Sequence, residues 1–167
     1  MKNSALLFFL IALIPAWGYG NENNVNVSGE EHVAIAGLSP ELRDLFSKEM
    51  VELQNGMMNM VPLYVSGQWA EIAAIAEKME SSYVLTKNLS ELQLHELHEK
   101  LPSAFVRLDQ QFHYLAGMLK HAAKMEKVEL VGFYTSQMAE ACVGCHSEYA
   151  THKFPALAPK RRANHSH

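Results

Sequence analysis

Hydrophobic residues recur at spacings of three and four along four stretches of the 167-residue chain, which is the period of an α-helix. In the first stretch the apolar positions are Leu42, Phe46, Met50, Leu53, Met57, Met60 and Tyr64. Ser39-Pro40 precedes this stripe, with serine suited to cap a helix and proline suited to its first position. We expect Pro62 to kink or end the helix and Ser66-Gly67 to form the turn after it. This stretch therefore predicts one long amphipathic helix.

Three further stretches complete the pattern. Their apolar stripes predict helices from Trp69 to Tyr83, from Pro102 to Ala122 and from Lys127 to Tyr149. Between the second and the third, Ser90-Glu91-Leu92-Gln93 matches a capping box, which predicts a short helix or an ordered connection through Lys100. No convincing strand pattern is present, and the joins are short. The sequence therefore predicts an all-α protein with the fold of an antiparallel four-helix bundle.

The two ends of the chain differ from this central part. Lys2, an apolar run and Gly18-Tyr19-Gly20 together predict a secretory signal peptide. The apolar run is shorter than the roughly 20 residues of a membrane span, so we expect no stable span after cleavage, with an uncleaved anchor as the alternative. The predicted organisation is a signal peptide over residues 1–20, a flexible leader over 21–37, the bundle domain over 38–153 and a flexible tail over 154–167.

The two cysteines of the chain lie three positions apart, and a histidine follows directly, in the segment Cys142-Val143-Gly144-Cys145-His146. This spacing is the attachment signal for c-type haem, in which two thiols bond to the porphyrin and the imidazole binds the iron. On a helix the three side chains fall within an arc of about 100°, so one face can present all of them. The sequence therefore predicts one covalent haem c on the C-terminal helix, held by Cys142 and Cys145, with His146 as the proximal iron ligand.

Three other interpretations of the cysteines fit the sequence less well. A redox pair of the thioredoxin type expects a strand before its helix, and no such strand is indicated. A zinc site needs a fourth ligand and usually a second Cys or His pair at short spacing. A plain disulfide leaves His146 and the position of the motif near the end of the chain unexplained.

A haem attachment motif on the last helix of a four-helix bundle resembles the cytochrome c′ and cytochrome c-556 family. The resemblance covers roughly residues 39–153 and depends on the motif, on Tyr149 three residues after it and on a methionine in the first helix. It implies a periplasmic haem protein; some members bind small gases at an open distal site, and others carry a methionine ligand and transfer electrons. The chain departs from the family pattern at Ala150, where a basic residue is usual, and, if Met50 is the distal residue, at Phe46, where an arginine is frequent.

Two residues are candidates for the sixth iron ligand. Met50 is the one that the resemblance implies, on the inward side of the first helix, where a thioether ligand would give low-spin iron with a raised potential. His113 in the third helix is the alternative, with Asp109 one turn earlier to hold its other ring nitrogen. Structural roles stay open for both, because a methionine in an apolar stripe often only fills space and a histidine four residues from an aspartate often forms a surface pair.

The sequence thus predicts a periplasmic monohaem c-type cytochrome that transfers single electrons and is not an enzyme. The alternative is a haem protein with an open distal site that binds or senses small gases such as NO and CO. A haem peroxidase is a further alternative, in which only His113 could serve as the distal acid–base residue.

Charge bears on the partners. Without residues 1–20 the chain keeps 13 basic and 18 acidic residues, a formal charge of −5. This acidity argues against nucleic acid and favours a redox partner protein with a basic docking surface. Pairing into a homodimer, which is frequent in related bundles, stays open.

Overall fold

The computed structural model describes residues 33–82 and 89–159. Within these two ranges the secondary structure is helical, and no strand occurs. The helices are α1 (Val33–Ala36), α2 (Pro40–Val65), α3 (Trp69–Glu80), α4 (Glu91–Lys100), α5 (Ser103–Lys124), α6 (Val128–Tyr149) and a 3₁₀ helix (Pro155–Leu157). None of these helices combines the length and the apolar character that crossing a membrane requires. The prediction of an all-α protein is confirmed for this part of the chain.

Some predictions fall outside these ranges. The signal peptide over residues 1–20, most of the leader and the end of the second helix at Tyr83 are not described, and neither is the tail from residue 160 onward. Of the predicted leader over residues 21–37, the helix α1 is described, so helical structure occurs before the predicted start of the bundle domain at residue 38.

The helix boundaries follow local signals in the sequence. Pro40 occupies the first turn of α2, as predicted, but Ser39 makes no side-chain cap. Pro62 does not end α2, which continues to Val65, because a proline in the last turn removes only one hydrogen bond of the helix. The carbonyl of Pro62 accepts hydrogen bonds from the backbone N–H of Ser66 at 3.3 Å and from its hydroxyl at 2.7 Å. The turn then passes through Gly67, whose φ of 67° favours glycine.

The predicted capping box opens α4. The N–H of Gln93 donates to the Ser90 hydroxyl at 3.3 Å, and the Ser90 N–H donates to the Gln93 amide oxygen at 2.9 Å. Further along α4, the Glu96 carboxylate accepts from the Ser39 N–H at 2.7 Å and from Lys100 Nζ at 2.9 Å. The hydrogen bond from Lys100, followed by that from Ser39, lowers the pKa of Glu96. These contacts fasten α4 to the start of α2.

Two hydrophobic clusters form the core. Helix α3 packs along α5, α5 packs along α6, and α2 contacts both α3 and α6. The larger cluster comprises Met60, Ile72, Ala73, Ala76, Met79, Phe112, Ala116, Leu119, Ala122, Ala123, Val131 and Met138. The smaller cluster comprises Leu38, Leu42, Phe46, Phe105 and Tyr149. The second half of α6 runs past both clusters, and this half carries the cysteine motif.

Candidate functional site

The two cysteines lie on the core side of α6. Both are half-buried, and neither forms a disulfide. Cys142 packs against the larger cluster, and Cys145, about one turn later, packs against the smaller cluster. The prediction that the helix presents both sulfurs on one face agrees with this arrangement.

Between the cysteines the helix surface is open. Apart from the adjoining residues and the backbone of the helix itself, no described atom lies within 4 Å of the position that a Cβ on Gly144 would occupy. Val143 is exposed to solvent, and the Gly144 carbonyl accepts a hydrogen bond from the Ser147 hydroxyl at 2.8 Å. The solvent side of the turn that joins the two cysteines is therefore unobstructed.

Both thiols are protonated at neutral pH. Burial raises the pKa of Cys142. Burial also raises the pKa of Cys145 to about 11, with smaller contributions from nearby negative groups, first among them Asp109. In the folded chain both sulfurs are therefore uncharged, and both cysteines contact apolar side chains.

His146 follows Cys145 and is half-buried. Its ring lies against the ring of Phe154, with centroids 4.5 Å apart and an angle of 14° between the planes. Burial, and secondly the positive charge of Lys153, lower the pKa of His146, so the imidazole is neutral at pH 7. No described residue forms a hydrogen bond or an ion pair with the ring nitrogens of His146. A neutral imidazole with a free lone pair is the form that binds iron.

An aromatic group borders the end of the motif. Tyr149 contacts Phe105 edge-to-face at 5.1 Å and 78°, and Phe105 contacts Phe46 edge-to-face at 6.0 Å and 68°. All three are buried in the smaller cluster. Phe46 therefore supplies apolar surface to the cluster that Cys145 packs against.

Met50 is not on the inward side of α2. Its exposure is 40%, whereas that of its neighbour Glu49 is 1%. The buried side of α2 follows Leu42, Phe46, Glu49, Gly56 and Met60, so the step after Phe46 is three residues and not four. The expected inward orientation of Met50 is thus wrong, and its role as an iron ligand stays a prediction.

His113 is engaged through both ring nitrogens. Nδ1 donates to the Met79 carbonyl at 2.6 Å, and Nε2 lies 3.5 Å from the Asp109 carboxylate, the partner that the sequence indicated. The hydrogen bond to Asp109 raises the pKa of His113; burial opposes it, and Met79 and Glu49 add to it. A protonated imidazole satisfies both contacts, because it donates from both nitrogens. The role of His113 as an alternative iron ligand stays a prediction.

Replacing Asp109 by asparagine is expected to reduce the stability of the protein more at acid than at alkaline pH. The folded-state pKa of His113 lies above the ordinary value, so the stabilisation from its charged form is fully present below about pH 6.5 and disappears as pH rises through the raised pKa. Urea unfolding of D109N and wild type at pH 5.5 and pH 9 measures the difference.

The matched control for this prediction is Asp44→Asn. Asp44 forms an ion pair with Lys48 at 2.7 Å on the exposed surface, and this pair includes no histidine. D44N should lose little stability, and equally at both pH values. An equal loss at both pH values in D109N would contradict the assignment of charge to His113.

Sequence reasoning missed two residues near the site. Glu49 is buried although it is an acidic residue. The only sign of this burial in the sequence is that position 49 also fits the helical period of the buried residues of α2. The sequence predicts a flexible tail that begins at Phe154, whereas in the structure a 3₁₀ helix directly follows Phe154. The sign in the sequence that could have indicated this role is an aromatic residue directly before Pro155, shortly after the end of a helix.

The described residues include no group of three His, Cys, Asp or Glu side chains that could hold a metal ion. Comparisons of the chain with protein-family models, with curated proteins and with solved structures found no match. The resemblance to the cytochrome c′ and cytochrome c-556 family therefore stays a prediction that depends on the motif at residues 142–146 and on the helix pattern.

Proposed function

We propose that this protein is a periplasmic monohaem c-type cytochrome that transfers single electrons and is not an enzyme. The observation that carries the proposal is the donor set on α6: two unpaired thiols on its core side, followed directly by a neutral imidazole. Cys142 and Cys145 would hold one haem c through thioether bonds. His146 would be the proximal ligand of the iron.

The proposed architecture is an antiparallel four-helix bundle with the haem on its last helix. The mutual packing of α2, α3, α5 and α6 supports it. Turns of three residues, 66–68 and 125–127, join α2 to α3 and α5 to α6, and connections this short suit antiparallel neighbours. Helix α4 lies in the connection between α3 and α5.

The surroundings of the motif suit a redox cofactor. Haem c, when bound, supplies one-electron exchange between ferric and ferrous iron. The two clusters that contact Cys142 and Cys145 are apolar and shield these half-buried residues from part of the solvent. A medium of low dielectric constant disfavours the extra positive charge of the ferric state. His146 keeps a lone pair available. The exposed Val143 marks the solvent side of the site.

The remaining parts of the proposal concern location and partners. A signal peptide over residues 1–20 would deliver the chain to the periplasm, where c-type haem is attached. The acidic chain would dock to a redox partner protein with a basic surface, and not to nucleic acid. Homodimer formation stays open. Trp69, an aromatic residue that could contribute to a dimer interface, is half-buried, because it packs against the larger cluster and contacts the ring of Tyr64.

A second candidate function is binding or sensing of small gases such as NO and CO at an open distal site. Two observations favour it. Met50 is exposed, and both ring nitrogens of His113 are engaged by other groups. Neither candidate for the sixth ligand therefore combines a buried position with an unengaged donor atom.

The test is to produce the full chain in cells that assemble c-type cytochromes. We expect a pyridine haemochrome spectrum of c-type haem and an intact mass increased by one haem. A low-spin ferric spectrum with a far-red band from methionine ligation supports electron transfer; a high-spin ferrous form that takes up CO without ligand exchange supports gas binding instead. Colourless protein without the added mass overturns the proposal.

A further inference from the structure

The chain turns back over His146 directly after α6 ends. The Ala150 N–H donates to the His146 carbonyl at 3.0 Å and ends the helix. The Ala150 carbonyl then accepts from the N–H groups of Lys153 and Phe154, each at 2.9 Å. Pro155 disfavours a helical conformation at the residue before it. A compact hydrogen-bonded turn therefore fixes the position of Phe154 relative to His146.

The contact between the two rings is specific in geometry. A centroid distance of 4.5 Å and an interplanar angle of 14° describe parallel stacking within the range of favourable aromatic pairs. Phe154 is itself 42% exposed, so it is not placed there as part of a core cluster. Stacking covers a face of the imidazole, whereas a metal binds in the plane of the ring. Phe154 can therefore stay stacked on His146 while a ring nitrogen of His146 binds a metal.

We propose that Phe154 is a positioning residue that fixes the ring plane of His146 and excludes water from one of its faces. This inference rests on the proposed function, because it concerns His146 as the proximal ligand. A partner of the ligand outside the coordination sphere tunes a metal centre by setting the ligand's orientation and its access to water. Loss of the Phe154 ring lets water solvate the ligand and stabilise the ferric charge. The potential then becomes more negative.

The experiment compares haem-loaded wild type with F154A. We expect equal haem content in both and a more negative potential in F154A, corresponding to a change of up to about tenfold in the one-electron equilibrium constant, or about 59 mV. F154L keeps an apolar side chain at an exposed position but has no ring to stack, so it should show the same shift without a loss of folding. F154Y and F154W should restore the wild-type potential.

Leu157→Ala is the matched control, because Leu157 lies in the 3₁₀ helix that follows Phe154 but has no ring that could stack on His146. Its potential should equal that of wild type. Haem-loaded F154A and F154L with the wild-type potential overturn this inference and leave the proposed function intact. Wild type without haem overturns both.

Discussion

Replacing both Cys142 and Cys145 by alanine is expected to abolish covalent haem attachment. Each thioether needs a sulfur, and the described chain has no other cysteine to supply one. The single variants should keep at most one bond and yield less holoprotein. The measurement is haem staining after denaturing electrophoresis together with the intact mass, in which the double variant should match the mass of the polypeptide alone.

Val143→Ala is the matched control for these variants. Val143 lies between the cysteines and is exposed, so its truncation leaves both sulfurs and their apolar contacts in place. V143A should retain haem in wild-type amount. Haem that remains bound to the double cysteine variant after denaturation would show that attachment does not use these residues.

The substitution Leu119→Ala is expected to lower the free energy of unfolding by about 2–5 kcal/mol. Leu119 is fully buried, at 0% exposure, in the larger cluster, where α5 meets α3 and α6. Its truncation removes buried methyl groups and leaves a cavity that the surrounding helices fill only in part. Urea unfolding followed by circular dichroism at 222 nm measures the loss.

Leu92→Ala makes the same chemical change at a position that is 83% exposed in α4. It creates no cavity and should change stability by less than about 0.5 kcal/mol. Comparable losses in L119A and L92A would contradict the assignment of the core to the larger cluster.

The helices could be predicted from the sequence because their signals are local. Pro40 fixes the start of α2, and the Ser90–Gln93 capping box forms the two hydrogen bonds that its residue types indicate. The motif of Cys142, Cys145 and His146 is a local signal of the same kind, since its spacing is set within two turns of one helix, and the haem attachment that it indicates stays a prediction.

The rest depends on contacts between distant parts of the chain. Met50 and Glu49 both fit the apolar stripe of α2, and periodicity alone cannot decide between neighbours that differ by 100° around a helix axis. Tertiary packing buries Glu49, where its charge acts on His113 of α5. The stacking of Phe154 on His146 needs the exact course of the turn after α6, which no periodic pattern encodes.

The burial of Cys145 has a consequence for its reactivity with oxidants and disulfides. Disulfide exchange proceeds through the thiolate, and with a pKa of about 11 only about one Cys145 sulfur in ten thousand is ionised at pH 7. For a thiol with the ordinary pKa of 9.0 the ionised share is about one in a hundred. The folded chain therefore slows the reaction of this sulfur with oxidants and disulfide donors by about two orders of magnitude through ionisation alone.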